Sequence, residues 1–161
     1  MENTDLQHTR FMKMAIDLSK SNVEKAMGGP FGAVIVKDGK VIAKSANKVT
    51  ATNDPTAHAE IAAIRLASKK LNSFDLSDCI IYTSCEPCPM CLGAIYWSRI
   101  SKIYYACTKH DAAEAGFDDK FIYDELSLPV EKRVLPIENI LRHEAIDAFK
   151  AWQKAELKIK Y

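Results

Sequence analysis

The sequence has no long hydrophobic run, no excess of charge of one sign and no cysteine pattern typical of a disulfide scaffold. Its apolar runs are far shorter than the roughly 20 residues that a membrane-spanning helix needs, so we expect no membrane partner. The N-terminus shows no basic stretch followed by an apolar segment, which argues against a secretory signal. Lys and Arg number 22 and Asp and Glu number 21, a net charge of +1. Because proteins that bind a polynucleotide usually carry a larger basic excess, the charge balance argues against nucleic acid as a partner.

Length and composition are those of one globular domain. A chain of 161 residues with 48% hydrophobic and 27% charged residues is long enough to bury its own core. No internal repeat, low-complexity tract or linker interrupts it. The sequence therefore predicts a single domain over residues 1–161.

The cysteines are informative because of where they stand. Their number is odd and three of them fall within seven residues; the full set is Cys79, Cys85, Cys88, Cys91 and Cys107. Such a count and clustering are atypical of a disulfide framework. In a reducing cytoplasm a cluster of this kind more often binds metal or carries out redox chemistry. We therefore expect a cytoplasmic protein with a metal or redox site at this cluster.

Hydrophobic periodicity predicts that helices and strands alternate along the first two-thirds of the chain. Asp38 and Gly39, between two β-rich runs, indicate a hairpin turn. Asp54 and Pro55 fit the N-cap and first position of a helix. The predicted elements are a helix over about 4–27, a hairpin over 31–43, a helix from 54 to about 70, a strand over 79–83, a helix over 88–98 and a strand over 102–106.

The last third gives weaker signals. Residues 117–124 fit a loop or short helix, 132–137 an edge strand and 143–158 an amphipathic helix. The order of the stronger elements predicts an α/β fold, a three-layer α/β/α sandwich around a mixed sheet. We expect one antiparallel hairpin in this sheet and parallel crossovers after it.

Two short motifs carry residue types that bind zinc. His58–Ala59–Glu60 places a histidine two residues before a carboxylate, and Pro87–Cys88–Pro89–Met90–Cys91 contains a C-x-x-C pair at a predicted helix start. One histidine and two thiolates give zinc three ligands, which leaves one position open as in catalytic sites. Glu60 is not needed as a ligand and is suited to carry protons. The combination H-x-E with P-C-x-x-C is typical of zinc deaminases that act on nucleobases.

The residues alone leave alternatives open. A histidine at a helix start is more often structural, and C-x-x-C also occurs in redox proteins. Cys85 stands three residues before Cys88, so His58 and three cysteines would make a closed structural site. A noncatalytic zinc-binding module is the matching alternative function.

In their sequence context these motifs resemble the cytidine-deaminase-like superfamily of zinc hydrolases and, more narrowly, the guanine deaminases of bacteria. The similar stretches are 28–39, 53–60, 82–97 and 111–119. The first three are partly shared with tRNA adenosine deaminases, whereas the fourth and the terminal Tyr161 are more specific. The resemblance implies hydrolytic deamination of guanine to xanthine and ammonia, with one zinc per chain and a small purine base as substrate.

The resemblance also implies an architecture and an assembly. It implies a five-stranded sheet, and a homodimer in which the C-terminal segment, about residues 143–161, is swapped. The tail of each chain would then close the active site of the other.

Residue by residue, the resemblance carries His58, Cys88 and Cys91 to the zinc and Glu60 to the proton shuttle. The substrate-binding residues that it implies are Phe31, Asn47, Ala59, Trp97, Asp119 and Tyr161.

Without the resemblance, several of these residues have plainer interpretations. Asn47 fits a turn residue equally well, Trp97 a core residue, Asp119 a solvated charge and Tyr161 a frayed terminus. The substrate also stays open, since guanosine, adenosine in tRNA, cytosine or an aminotriazine are alternatives to guanine.

Overall fold

The structure is a computed structural model that describes the backbone of residues 2–161 and the side chains of residues 5–161. The chain divides into two compact units, one ending at Asp119 and the other spanning Lys120–Tyr161. The elements of the first unit, in chain order, are α1 (Glu2–Glu24), β1 (Gly32–Lys37), β2 (Lys40–Ala46), α2 (Val49–Thr52), α3 (Ala59–Leu71), β3 (Cys79–Cys85), α4 (Pro89–Trp97), β4 (Lys102–Cys107) and α5 (Lys109–Glu114).

The strands form one mixed sheet in the order β2-β1-β3-β4. β1 and β2 are antiparallel and are joined at Asp38 and Gly39, whose φ angles are 49° and 70°. Positive φ at both central residues is the geometry that an Asp-Gly hairpin turn favours, so the predicted hairpin is confirmed. β1 is also antiparallel to β3, whereas β3 and β4 are parallel.

Helices cover both faces of this sheet. On one face α1 packs through Phe11 and Ala15 against Val34, Val36 and Tyr82. On the other face α3 and α4 pack against the neighbouring strand residues; this second cluster includes Ala33, Ile35, Ala63, Ile81 and Ile95. Because successive strand residues point to opposite faces, β1 must be apolar nearly throughout to be covered on both sides. The predicted α/β/α layering is therefore confirmed.

Three predictions about the elements are wrong. The sheet of the described chain has four strands rather than five, and the segment predicted as an edge strand, 132–137, forms none. Pro136 within it cannot donate a ladder hydrogen bond. The expectation of parallel crossovers after the hairpin is met in part, because β3 and β4 are parallel whereas β1 and β3 are antiparallel.

The third concerns the helix expected to begin at Asp54, because α3 begins at Ala59 instead. The Asp54 carboxylate accepts hydrogen bonds from the Thr56 backbone N–H at 2.8 Å and from its hydroxyl at 2.6 Å. The aspartate thus closes a local turn rather than capping a helix.

The second unit contains two helices and a 3₁₀ turn. They are α6 (Lys120–Ser127), the turn Val130–Lys132 and α7 (Arg142–Lys154). None of the three contains a buried residue. Elsewhere too, among the described residues, no helix combines the length and the apolar character needed to cross a bilayer.

Candidate active site

Three potential metal ligands converge where two helices begin. His58 is the N-cap of α3 and Cys88 the N-cap of α4, both with extended backbone. Pro89 occupies the first turn of α4, where its fixed φ favours helix initiation. Cys91 follows in the same turn, and the ligand atoms of the three residues all lie within 4.8 Å of one another.

The spacing of these atoms fits a tetrahedral zinc ion. The Sγ atoms of Cys88 and Cys91 are each 3.5 Å from His58 Nδ1. With Zn–N of about 2.0–2.1 Å and Zn–S of about 2.3 Å, tetrahedral angles give an N···S separation of roughly 3.5 Å. Histidine nitrogen and cysteine sulfur are also the donor types that zinc prefers. His58, Cys88 and Cys91 are therefore positioned to coordinate one zinc and to leave a fourth position open.

The protonation of the two cysteines also suits a cation. A hydrogen bond from Cys91, together with His58, lowers the pKa of Cys88 to about 4. The same hydrogen bond and burial raise the pKa of Cys91, and the Cys88 thiolate raises the pKa of His58. Metal ligation requires deprotonated thiols, so a bound cation would displace the protons of the two cysteines.

Cys85 is not part of the ligand group. It is buried at the end of β3, and its Sγ donates to the Thr108 carbonyl at 3.5 Å. Burial raises the pKa of the Cys85 thiol to about 11, which keeps it neutral. The closed site of one histidine and three cysteines is therefore not formed in the described chain.

Glu60 lies in the first turn of α3 beside the ligand group. It is only 4% exposed, and burial raises its pKa. Its Oε1 accepts a hydrogen bond from Thr83 Oγ1 at 2.9 Å, and its Oε2 lies 3.4 Å from Cys91 Sγ. A buried carboxyl that retains protons more readily than usual, next to metal ligands, is suited to general acid–base work.

This arrangement has a known counterpart. The family described as the cytidine and deoxycytidylate deaminase zinc-binding region matches residues 5–107. The chain belongs to this zinc deaminase family.

Two of the similar proteins match nearly the whole chain. A guanine deaminase of Bacillus subtilis (strain 168) is 53% identical over 156 residues, which are 97% of this chain and 100% of that protein. The X-ray structure of a B. subtilis guanine deaminase superimposes with a TM-score of 0.93 at 54% identity and covers 96% of this chain and 98% of that one.

Two further relatives match over shorter stretches. A tRNA-specific adenosine deaminase of Agrobacterium fabrum (strain C58 / ATCC 33970) is 43% identical over 112 residues, 68% of this chain and 73% of that protein. A structure of the guanine deaminase from Nitrosomonas europaea has a TM-score of 0.64 at 36% identity and covers 68% of this chain and 63% of that one.

In this zinc deaminase, Phe31 immediately precedes β1 and Asn47 immediately follows β2, and the two residues are adjacent. The Asn47 backbone N–H donates to the Phe31 carbonyl at 3.0 Å. Asn47 is buried, and its side-chain Oδ1 accepts from the Val49 N–H at 3.2 Å. The Phe31 ring meets Phe117 edge to face with centroids 5.0 Å apart.

Asp119 and Ala59 lie by the metal ligands of the deaminase. Asp119 is half-buried; burial and the charge of Cys88 raise its pKa, and its own charge helps to raise the pKa of His58. Ala59 is fully buried between His58 and Glu60. Asp119 is therefore more than a solvated surface charge.

The other two residues assigned to the substrate have exposed side chains. Trp97 is the last residue of α4, at the end opposite the ligands, and is 71% exposed, so its interpretation as a core residue is wrong. Tyr161 ends the second unit and is 72% exposed.

Sequence reasoning missed two buried side chains that support the site. Thr83 donates to Glu60, and Asn22 Nδ2 donates to the carbonyls of Gly29 at 2.8 Å and Asn47 at 3.0 Å. Thr83 is a polar residue on an otherwise apolar face of β3, and Asn22, like Ser19, is a polar residue on the buried face of α1. That interruption of the pattern was the available signal.

Proposed function

We propose that this chain hydrolyses guanine to xanthine and ammonia. The observation that carries the proposal is the extent of the similarity to the B. subtilis guanine deaminase, 53% identity over 97% of the chain. The family region ends at Cys107, and the tRNA-specific relative matches 68% of the chain. Because the guanine deaminase match covers 97% of the chain, it must also include most of the residues beyond Cys107, the region that contains Asp119.

The chemistry requires water to add to the ring carbon that bears the amine, and the carbon–nitrogen bond then to break. Bound zinc supplies an acidic coordinated water, so that a nucleophile is available near neutral pH. Glu60 takes one proton of the attacking water and passes it to the ring nitrogen. It then takes the remaining proton of the added hydroxyl and delivers it to the amine, which leaves as ammonia while the carbon–oxygen double bond forms. Burial of Glu60 supports this role, because it raises the pKa of the carboxyl and lets it hold a proton between steps.

Recognition of the purine follows from the groups around the metal ligands. The Val49 N–H engages Asn47 Oδ1, which orients the Asn47 NH₂ group as a donor to an acceptor on the base. Asp119 would accept from N–H groups of guanine, and the Phe31 ring would pack on the base. Ala59, Trp97 and Tyr161 complete the proposed set of substrate contacts.

We also propose a homodimer in which the C-terminal segment of each chain, about residues 143–161, closes the active site of the other chain. The resemblance to guanine deaminases supports this exchange. The second unit supports it independently, because α7 contains no buried residue and Phe149, Leu157 and Ile159 are exposed. Apolar side chains of this kind gain free energy when a second copy covers them.

Two broader assignments complete the proposal. Zinc ligation by Cys88 and Cys91 requires reduced thiols, which supports a cytoplasmic location. Release of ammonia from guanine would place the enzyme in purine catabolism.

A substrate screen tests the proposed reaction. Zinc-loaded protein is incubated with guanine, guanosine, adenine, cytosine, an aminotriazine and tRNA, and ammonia release is measured. We expect rapid release from guanine, with xanthine formed in equal amount. Faster release from another substrate would reassign the specificity, and zinc binding without release from any of them would favour a noncatalytic module.

A further inference from the structure

Thr83 is the buried hydroxyl that holds the proposed proton shuttle. We propose that Thr83 is a positioning residue: its hydroxyl fixes Glu60 Oε1 and so leaves Oε2 as the oxygen that moves protons. The inference rests on the proposed role of Glu60.

Thr83 itself is fixed by its place in the sheet. It lies in β3, between β1 and β4, where it is the register partner of Ala33 on one side and Tyr105 on the other. It is 1% exposed. A β-branched side chain has few χ1 rotamers, so a threonine in a central strand presents its hydroxyl in one direction. The donor is therefore preorganised before any substrate binds.

The contacts of Glu60 distinguish its two oxygens. Oε1 accepts from Thr83 Oγ1 at 2.9 Å, on the side of the sheet. Oε2 lies 3.4 Å from Cys91 Sγ, on the side of the ligand group. A carboxylate held at one oxygen by a rigid strand has little freedom to swing, so the other oxygen keeps its direction toward the metal site. General acid–base catalysis depends on this alignment.

Thr83→Val, which is nearly isosteric but lacks the hydroxyl, and Thr83→Ser, which keeps the hydroxyl but lacks the methyl group, separate the hydrogen bond from the packing. Loss of a hydrogen bond to a charged group, together with misalignment, should lower kcat for guanine about 10- to 100-fold in Thr83→Val. KM should stay within about twofold and zinc at one per chain, because neither ligands nor substrate contacts change. Thr83→Ser should recover most of the turnover. Thr83→Ala, which removes the same donor, serves as a second variant should Thr83→Val fold poorly.

A control variant shows whether loss of any buried hydroxyl has this effect. Ser19→Ala removes a buried hydroxyl that donates to Ile16 O within α1, at 2.7 Å. It should leave kcat unchanged. An equal loss of kcat in Ser19→Ala and Thr83→Val would overturn the proposal.

A double-mutant cycle with Glu60→Gln shows whether Thr83 acts through Glu60. Once Glu60 no longer carries protons, Thr83→Val should reduce the residual turnover little further. Near-native kcat in Thr83→Val, or an undiminished additional loss in the Glu60→Gln background, would overturn the positioning role alone. Near-native turnover of Glu60→Gln by itself is a different result, which overturns the proposed function of Glu60 and the inference with it.

Discussion

The two units of the chain differ in how far their apolar residues are buried. In the unit that ends at Asp119, strand and helix residues such as Ile35, Ile81 and Ile95 are buried against both faces of the sheet. In Lys120–Tyr161, no helix contains a buried residue and Leu157 is 97% exposed. The first unit therefore has a core of its own, whereas the apolar residues of the second gain most by binding another surface.

This difference separates the residues of the candidate metal site from the segment that we propose to enclose it. The metal ligands, Glu60 and Thr83 all belong to the first unit, on helix starts and a strand that the core holds in place. Tyr161 belongs to the second. Changes in the first unit should therefore abolish metal binding or proton transfer, while changes in the second should affect closure and assembly.

The largest expected effect comes from the ligand set. Cys88→Ala should lose zinc and with it essentially all turnover, because two remaining ligands hold the ion poorly. Cys85→Ala, a matched change three residues away, should retain one zinc per chain. Metal analysis and guanine turnover of both variants check this. Loss of zinc from Cys85→Ala would instead indicate a four-ligand site.

Removal of the proton shuttle should have the next largest effect. Glu60→Gln should fold and bind zinc, yet its kcat should fall by at least about 10²–10⁴-fold, since the group serves more than one proton transfer. Steady-state kinetics beside metal analysis provide the measurement. A near-native rate would remove Glu60 from the mechanism.

Deletion of the last four residues, Lys158–Tyr161, tests the enclosure. The shortened chain should keep zinc but lose much of its guanine turnover, because it would lack the proposed Tyr161 contact and leave the site open to bulk water.

Complementation then distinguishes a swapped tail from one that folds back. Co-expression of the deleted chain with full-length Glu60→Gln should restore about a quarter of the activity if tails exchange, since half of the dimers then contain one complete site. Absence of any restored activity from mixed dimers would argue that each tail serves its own chain.

A smaller effect is expected on stability, where a variant in the buried core of the first unit should differ from a variant on the exposed apolar face of the second. Ile81→Ala, in the core, should lower the free energy of unfolding by about 2–5 kcal/mol. Phe149→Ala in the exposed face of α7 should leave the unfolding of the first unit nearly unchanged and instead promote dissociation of the proposed dimer. Denaturant titration and light scattering measure the two effects, and equal unfolding losses would contradict the contrast.

Local patterns were sufficient to predict the hairpin at Asp38–Gly39 and the gathering of His58, Cys88 and Cys91. Local patterns did not predict which of several local hydrogen bonds a side chain forms: Asp54 accepts from Thr56 instead of capping a helix. They also failed for contacts between distant residues. The Thr83–Glu60 bond joins positions 23 apart, and the Asn22–Asn47 bond joins positions 25 apart. Such pairs depend on how the layers pack, which no local pattern specifies.

The central claim is that zinc held by His58, Cys88 and Cys91 enables this chain to deaminate guanine. Its most direct test is to remove the metal with a chelator, add zinc back in measured amounts and follow xanthine formation from guanine. We predict that turnover disappears with the metal and returns in proportion to added zinc, up to one ion per chain. Undiminished turnover of the metal-free protein, or no xanthine from the zinc-loaded protein, would contradict the claim.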